Sequence, residues 1–153
     1  MEVRLSLSAP RRRTYRVTAA DLAEANRLLD TRPEWGLYSG SLTCRPAATR
    51  VTVSLRPVIE MPEWVGYRAA PSAEQRIWDR MIRILGQHED NHHAISLRLI
   101  DAFKTELEAE TAAMDRRALR RRCAQLLRDH TSEQQAYDRR SAHGVNEGVS
   151  LRP

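Results

Sequence analysis

Residues 72 to 110 read SAEQRIWDRMIRILGQHEDNHHAISLRLIDAFKTELEAE, and this stretch decides the fold. Its apolar residues recur every three or four positions, which is the period of one face of an α-helix. Ser72 and Gln75 have the spacing of a capping box, so the helix is predicted to start with Ser72 as N-cap and to run to about Glu110. The inward stripe is predicted to contain Ile77, Met81, Ile84, Leu85, Ile95, Leu99 and Phe103.

The middle of this stretch carries its most specific chemistry, the H-E-x-x-H pentad His88-Glu89-Asp90-Asn91-His92. Positions i and i+4 of a helix lie on one face, so His88 and His92 can direct both imidazoles at one metal ion. Glu89 lies beside them and can act as general base on a metal-bound water. The pentad therefore makes a zinc-dependent peptidase the leading hypothesis.

Both histidines fall in the gap between Leu85 and Ile95 on the inward stripe, where a neutral imidazole needs a partner. A metal ion would satisfy both rings at once. The alternative is a pair of buried histidines that are hydrogen-bonded to carboxylates or to backbone groups. His93 lies about 100° around the helix from His92, so it is interpreted as a surface residue or as a residue that supports the ligands.

Length and composition indicate one globular domain covering residues 1–153. Apolar residues make up 41% of the chain, and no stretch is long and apolar enough for a membrane span. The net charge is +5, and all but one of the 25 basic residues are arginines interleaved with acidic residues. Solvated helix faces explain this pattern better than nucleic-acid binding, because aromatic residues are few and no stacking motif is present. The oligomeric state is left open.

Two further features bear on the compartment. The N-terminal segment lacks the apolar core of a signal peptide, so the expectation is a cytoplasmic protein as the chain stands, or an exported one if a leader has been removed. Cys44 and Cys123 match no metal or redox spacing. They are interpreted as free thiols in a reducing compartment, or as one optional disulfide in an exported protein.

The first half of the chain has the pattern of short strands and the second half that of long helices, which predicts an α+β fold. Alternating apolar residues predict a small, mainly antiparallel sheet accompanied by a short helix over 21–29. The predicted strands are 3–7, 15–17, 37–43 and 51–55, with Pro57 ending the last ladder and a loop over 61–64. A second long helix is predicted over about 115–140, followed by an irregular tail over about 141–153.

Two blocks outside the pentad resemble parts of a bacterial family. Residues 137–144, YDRRSAHG, resemble a Y-D-x-x-T-x-H-G block with Ser141 where threonine is usual. Residues 61–64, MPEW, resemble an aliphatic-P-x-W element that precedes the motif helix. Together with the pentad they resemble the bacterial domain-of-unknown-function family 922 (DUF922) over roughly Tyr15 to Leu151. The resemblance implies a zincin-like H-E-x-x-H metallopeptidase, many of whose relatives are exported.

A catalytic zinc ion takes three protein ligands and keeps one position for water, so a third ligand is needed. A metzincin is excluded, because Ile95 and Arg98 stand at the positions of its glycine and third histidine. A glutamate ligand of the gluzincin type is disfavoured, because Glu106 and Glu110 lie too far along the same helix.

His143, beside Gly144 in the family-like block, is the preferred third ligand. Its alternative role is that of a residue at a helix C-terminus, favoured by the helix dipole. His130, Asp138 and Glu133 are the other candidates. His130 fits better as a hydrogen-bonded core histidine, and Asp138 fits better as a carboxylate that orients a ligand histidine.

The sequence as a whole predicts a Zn²⁺ site formed by His88, His92 and His143. Glu89 is the predicted general base for hydrolysis of a peptide or protein substrate, and Tyr137 is assigned to the oxyanion, with core packing as its alternative. The strand around 50–55 is expected to lie beside the site and to pair with the substrate backbone. The alternative functions are a catalytically inactive metal-binding or protein-interaction domain and, less favoured, a basic nucleic-acid binder.

Overall fold

The computed structural model describes all residues 1–153 and has an α+β architecture, as predicted. A four-stranded sheet with one short helix forms the first half, and two long helices form most of the second. Short 3₁₀ turns lie at Tyr67–Ala69 and Val145–Glu147. The strands and helices in chain order are β1 (Glu2–Leu7), β2 (Arg11–Val17), α1 (Leu22–Asp30), β3 (Leu37–Pro46), β4 (Arg50–Trp64), α2 (Ser72–Ala109) and α3 (Arg116–Ser141).

The long strand β4 is the centre of the sheet, and every other strand pairs with it. On one side β3 runs antiparallel along residues 51–60 of β4. On the other side β1 and β2 follow each other along β4, and both run parallel to it. The prediction of a mainly antiparallel sheet is therefore wrong, since two of the three ladders are parallel. Alternation along single strands specifies their faces but not the direction of their partners.

Pro57 does not end the last strand as predicted, because β4 continues to Trp64 and includes the predicted loop over 61–64. The carbonyl of Leu55 accepts a hydrogen bond from the Ser8 amide beyond β1, so the main-chain groups of Leu55 point to that side. Pro57 is two residues further and points the same way. No strand lies opposite Pro57 on that side, because the pairing with β1 ends at Leu55 and the pairing with β2 begins at Val58. Its missing amide proton therefore costs the sheet no hydrogen bond.

Helix α2 spans almost the predicted range, but its start differs in detail. Pro71 occupies the N-cap position and Ser72 is the first helical residue, so the predicted capping box is not formed. The Gln75 side chain instead donates to the Tyr67 carbonyl. Helix α1 begins after Asp21, whose carboxylate accepts from the Glu24 amide as an N-cap should. None of the helices combines the length and the apolar character needed to cross a bilayer.

The core is divided into two apolar clusters, and α2 belongs to both. One cluster surrounds α1 and the first turns of α2, and it includes Trp64, Trp78, Met81 and Leu85. The other lies between the sheet, the later turns of α2 and the first turns of α3, and it includes Val53, Leu55, Ile100, Phe103 and Leu119. Between them α2 buries four polar residues: His88, Glu89, His92 and Ser96. The pentad therefore lies where the apolar packing is interrupted.

The C-terminal tail packs against the body of the domain. Val149 and Leu151 are buried in the first apolar cluster. The chain reaches that position through Ala142, His143 and Gly144, which all have positive φ. A Cβ at Gly144 would come within 2.7 Å of Val149 and 3.4 Å of the His88 ring, so only glycine fits where the tail crosses α2.

Cys44 on β3 and Cys123 on α3 form a disulfide, with their Cα atoms 5.3 Å apart. The prediction of two free thiols is thus wrong, and the optional disulfide is the alternative that the structure contains. Both residues lie in the second apolar cluster, where packing of α3 against the sheet brings them together from 79 residues apart. The bridge ties two walls of the cavity described below.

Removal of this bridge is expected to lower the free energy of unfolding by roughly 4 kcal/mol, because the crosslink restricts a long loop in the unfolded chain. The measurement is denaturant unfolding of a Cys44→Ala, Cys123→Ala double variant against the oxidised parent. The reduced parent serves as control and should unfold at a similarly lowered midpoint. Equal midpoints for oxidised and reduced parent would show that the bridge does not stabilise the fold.

Candidate metal centre

The pentad occupies the middle turns of α2, and its two histidines face inward as predicted. His88, Glu89 and His92 are only 2%, 3% and 5% exposed. The two histidine rings lie edge to face, with centroids 4.9 Å apart. Asn91 and Asp90 point outward from the pocket and bond to Tyr137 and Arg12. One helix face thus carries two imidazoles and a carboxylate into the interior.

Asp138 on α3 meets both imidazoles. Its Oδ1 lies 2.9 Å from the Nε2 of His92 and 3.5 Å from the Nε2 of His88. One nitrogen from each ring and one carboxylate oxygen thus lie within 4.8 Å of one another, a spacing that can hold a metal ion. Three such ligands from two helices would leave one position of a tetrahedral ion for water or substrate, as in catalytic zinc sites.

Gln134, one turn before Asp138 on α3, orients the His92 ring. Its amide nitrogen donates to the His92 carbonyl and to Ser96 Oγ, each at 2.9 Å. Its amide oxygen must therefore face the His92 ring, and it lies 2.5 Å from Nδ1. Since an amide oxygen only accepts, Nδ1 of His92 carries a proton, and in the neutral ring this leaves the lone pair on Nε2, the nitrogen that faces Asp138.

Glu147, in the tail, has the same effect on His88. Its carboxylate oxygen lies 3.4 Å from Nδ1 of His88, which leaves Nε2 free on the side of Asp138. Tyr137 stacks on the His88 ring, with centroids 4.9 Å apart. Burial and a hydrogen bond to Glu147 raise the pKa of Tyr137 well above its usual range, so the hydroxyl stays protonated and supports Glu147.

With both rings neutral, these hydrogen bonds leave two imidazole lone pairs and a carboxylate oxygen within 4.8 Å of one another, with no protein donor among them. Burial and the neighbouring His92 lower the pKa of His88, so a second proton on that ring is disfavoured. A cation bound between the three atoms satisfies all of them. Outer carboxylates and amides that orient ligand histidines in this way are a regular feature of metal sites.

Glu89 is buried beside this point and has no salt bridge within the protein. Burial, with added repulsion from Asp138 and Glu34, raises the pKa of Glu89 to about 8, and a hydrogen bond from the Tyr38 backbone opposes the rise. A Cβ at Gly36 would come within 2.5 Å of Glu89 Oε1, so the glycine leaves the carboxylate its position. A cation held by the neighbouring ligands would lower the pKa of Glu89.

A cavity of about 280 Å³ opens over these residues. One wall is α2 and another is α3, and the third is the segment from Glu34 to Gly40, which leads into β3. The strand 50–55 was expected to lie beside the site with a free edge. That prediction is wrong, because β4 is paired on both sides along this stretch. The exposed edge near the site belongs to β3.

The direction of the β3 backbone follows from the ladder. The amide and carbonyl groups of Leu55 point towards β1. The amide and carbonyl groups of its antiparallel partner Leu42 therefore point away from β4. Because main-chain direction repeats every two residues of a strand, the amide and carbonyl groups of Gly40 and Tyr38 point the same way, into the cavity. The hydrogen bond from the Tyr38 backbone to Glu89 agrees with this direction. No strand pairs with this edge.

The other residues singled out from the sequence are distributed around the centre. His143 lies at the cavity mouth, with Nδ1 3.6 Å from Asp138 Oδ1 and outside the group formed with His88 and His92. It stays a prediction as third ligand, whereas Asp138 is the residue that the geometry groups with the two histidines. His130 bonds to Ser96 at 2.8 Å, which fits its alternative role as a hydrogen-bonded core histidine.

Three more predicted residues have defined surroundings. Glu133 is paired with Arg98 on the outer surface and does not contact the histidines. His93 lies 3.4 Å from the Tyr38 hydroxyl, at the rim of the site. The Tyr137 hydroxyl accepts a hydrogen bond from Asn91 and does not line the cavity, so its role at an oxyanion stays a prediction.

Sequence reasoning missed Gln134 and Glu147. Gln134 could have been found, because it precedes Asp138 by four residues and so shares its helix face. Glu147 could not, since it lies in a segment without helical or strand periodicity and reaches His88 only because the tail folds back.

The Gln134 contact predicts a measurable effect on metal binding. Gln134→Met keeps the size of the side chain but leaves the His92 ring without its orienting acceptor. We expect the dissociation constant for Zn²⁺ or Co²⁺ to rise about 10- to 100-fold. Isothermal titration of each variant measures it, and Gln135→Met, at the exposed neighbouring position, is the matched control. Equal affinities for Gln134→Met and the control would show that Gln134 does not support metal binding.

Fold and site together define an α+β protein with a candidate metal centre of two histidines and one aspartate, carried by two long helices. The profile of a family described as "Bacterial protein of unknown function (DUF922)" matches residues 12–144. The chain belongs to this family, as its sequence resemblance implied. No significant match is found among curated proteins or among solved structures.

Proposed function

We propose that this protein is a zinc-dependent peptidase with a zincin-like site. The observation that carries the proposal is the convergence of His88, His92 and Asp138 beside the buried carboxylate of Glu89, at the floor of an open cavity. Two histidines and a carboxylate are a ligand set that zinc accepts in catalytic sites. The H-E-x-x-H spacing provides both the nitrogens and the base from one helix face.

The assignment of roles follows from these positions. His88, His92 and Asp138 hold the metal, and Gln134 and Glu147 keep the imidazoles in the ligating tautomer. When bound, zinc supplies a Lewis acid that polarises a peptide carbonyl and lowers the pKa of water towards neutrality.

Glu89 transfers the proton. Its carboxylate takes a proton from the attacking water and later gives it to the leaving amine, which is the role of a general base and acid. The hydrogen bond from the Tyr38 backbone and the absence of a side chain at Gly36 hold the carboxylate in place. Burial raises the pKa of Glu89 to about 8 without a cation, and a cation held by the neighbouring ligands would lower it, so that the carboxylate can take the proton from water.

The free edge of β3 supplies a docking surface for an extended peptide. The amide and carbonyl of Gly40 point into the cavity, and no other strand uses them. An added strand from the substrate would gain main-chain hydrogen bonds there, next to the metal ligands. This edge replaces strand 50–55 in the role that the sequence suggested.

The disulfide bears on the compartment. Bridges of this kind persist in oxidising surroundings and are rare where thiols are kept reduced. Of the two alternatives considered from the sequence, the Cys44–Cys123 bridge favours the exported form of the protein.

The test is cleavage of a peptide library by the purified, oxidised chain, analysed by mass spectrometry. We expect internal peptide bonds to be cut, the activity to disappear with a chelator and to return with Zn²⁺. Metal binding without cleavage of any peptide would refute the peptidase function. It would favour the alternative, a catalytically inactive metal-binding or interaction domain.

A further inference from the structure

We propose that Glu34, Asp138 and His143 form a second divalent-cation site at the mouth of the cavity, with Asp138 shared between the two ions. The inference rests on the proposed metal centre and extends it from one ion to two. One carboxylate oxygen from each acid and one nitrogen of His143 lie within 4.8 Å of one another. This group is separate from the one formed with the pentad histidines, except for Asp138.

The distances fit one ion. Nδ1 of His143 lies 3.7 Å from Glu34 Oε1 and 3.6 Å from Asp138 Oδ1. Ligands about 2.1 Å from a tetrahedral zinc ion are roughly 3.4 Å apart, so the observed group needs only small side-chain movements to close on a cation. One nitrogen and two carboxylate oxygens suit Zn²⁺, Co²⁺ or Mn²⁺.

Asp138 can serve both ions because it has two oxygens. The protein contacts described above involve Oδ1, and Oδ2 has no hydrogen-bond or ion-pair partner in the protein. In hydrolytic sites with two metals, the ions lie about 3.5–4 Å apart, a separation that a bridging carboxylate can span. The distances to His88, His92 and His143 are all measured to Oδ1, so a bridge through both oxygens requires the Asp138 carboxylate to rotate and present Oδ2 to one of the two groups.

Charge provides an independent argument. The centre contains four carboxylates, and none of them has an arginine or lysine within 4.0 Å, although the chain has a net charge of +5. The arginines that form ion pairs do so elsewhere, with acids outside the centre. With all four carboxylates ionised, one divalent ion offsets two of the negative charges and a second ion offsets the other two. The four carboxylates are Glu34, Glu89, Asp138 and Glu147.

The backbone also ties His143 to the shared ligand. The His143 amide donates to the Asp138 carbonyl at 3.0 Å, where α3 ends. Ala142 and His143 both take left-handed conformations that such residues rarely adopt, and the half-exposed His143 ring has its Nδ1 3.6 Å from Asp138 Oδ1. The position of His143 between Glu34 and Asp138 is therefore set by the chain itself.

The two ions should differ in affinity. The pentad histidines are almost fully buried, whereas the side chains of His143 and Glu34 are 51% and 33% exposed. Ligands that remain hydrated hold a cation less tightly, so the outer ion should exchange faster and be lost first on dialysis.

The test is a metal count on the full chain. The protein is stripped with a chelator and titrated with Zn²⁺, and bound metal is measured after equilibrium dialysis by plasma mass spectrometry. We expect one tight and one weaker zinc ion per chain. Glu34→Gln and His143→Gln should each lose the weaker ion and keep the tight one.

Matched controls separate this site from adventitious surface binding. Glu133→Gln and His93→Gln alter the same residue types outside the group and should still bind two ions. The retained tight ion reports that Glu34→Gln and His143→Gln are folded. Saturation of the parent at one ion, or two ions in both test variants, would overturn the second site.

The outcome is independent of the peptidase proposal. Two ions without cleavage of any peptide would uphold the second site and refute the peptidase. One ion with zinc-dependent cleavage would do the reverse.

Discussion

Replacing His92 with alanine is expected to abolish tight metal binding. In the proposed site the ring provides one of the three ligand atoms, and its removal also leaves Gln134 and Asp138 without their contacts at 2.5 and 2.9 Å. If the whole site binds zinc with on the order of 10 kcal/mol, loss of one ligand removes roughly 3 kcal/mol, so affinity should fall by about two orders of magnitude or more. His88→Ala should have the same effect.

The neighbouring histidine provides the control. His93→Ala changes the same residue type one position along α2, where the ring faces the Tyr38 hydroxyl and is outside the ligand group. It should bind the tight ion like the parent. Competition with a chromophoric chelator measures the affinity of the parent and the three variants, and parent-like affinity in His92→Ala would exclude the pentad as a metal site.

Replacing Glu89 with glutamine is expected to keep the metal and to remove most of the peptidase activity. The amide has the size of the carboxylate and can still accept from the Tyr38 backbone, but it cannot take a proton from water. General-base catalysis is worth about 10²- to 10⁴-fold, and kcat should fall by that factor with KM little changed.

Asp90→Asn is the matched control for this change. It removes an adjacent carboxylate whose partner is the exposed Arg12, away from the cavity. Its kcat should equal that of the parent. Glu89→Gln with parent-like cleavage and full metal content would show that another group takes the proton, and the proposed role of Glu89 would be wrong.

The helices could be predicted closely from the chain alone. Helix α2 was expected over Ser72 to about Glu110 and is observed over Ser72–Ala109, and α3 differs from its prediction by one residue at each end. Helices depend on contacts three and four residues apart, which sequence periodicity records directly. The inward position of His88 and His92 followed from the same periodicity.

The strand arrangement could not be predicted in the same way. Pairing of β1 and β2 with β4 joins residues about 48 positions apart, and nothing in their alternation specifies a parallel partner. Pro57 was interpreted as the end of a ladder, whereas the break between β1 and β2 accommodates it. The same long-range pairing decides that β3, and not β4, presents a free edge to the cavity.

The sequence by itself determined the α+β class, the two long helices and the pentad with its buried imidazoles, because each depends on local spacing. Only the tertiary structure decided that Asp138 meets both histidines and that Glu147 returns from the tail to His88. The tertiary structure alone also decided that Cys44 and Cys123 form a bridge. These contacts join residues 46 to 79 positions apart, and their distances depend on how helices and sheet pack rather than on any period in the chain.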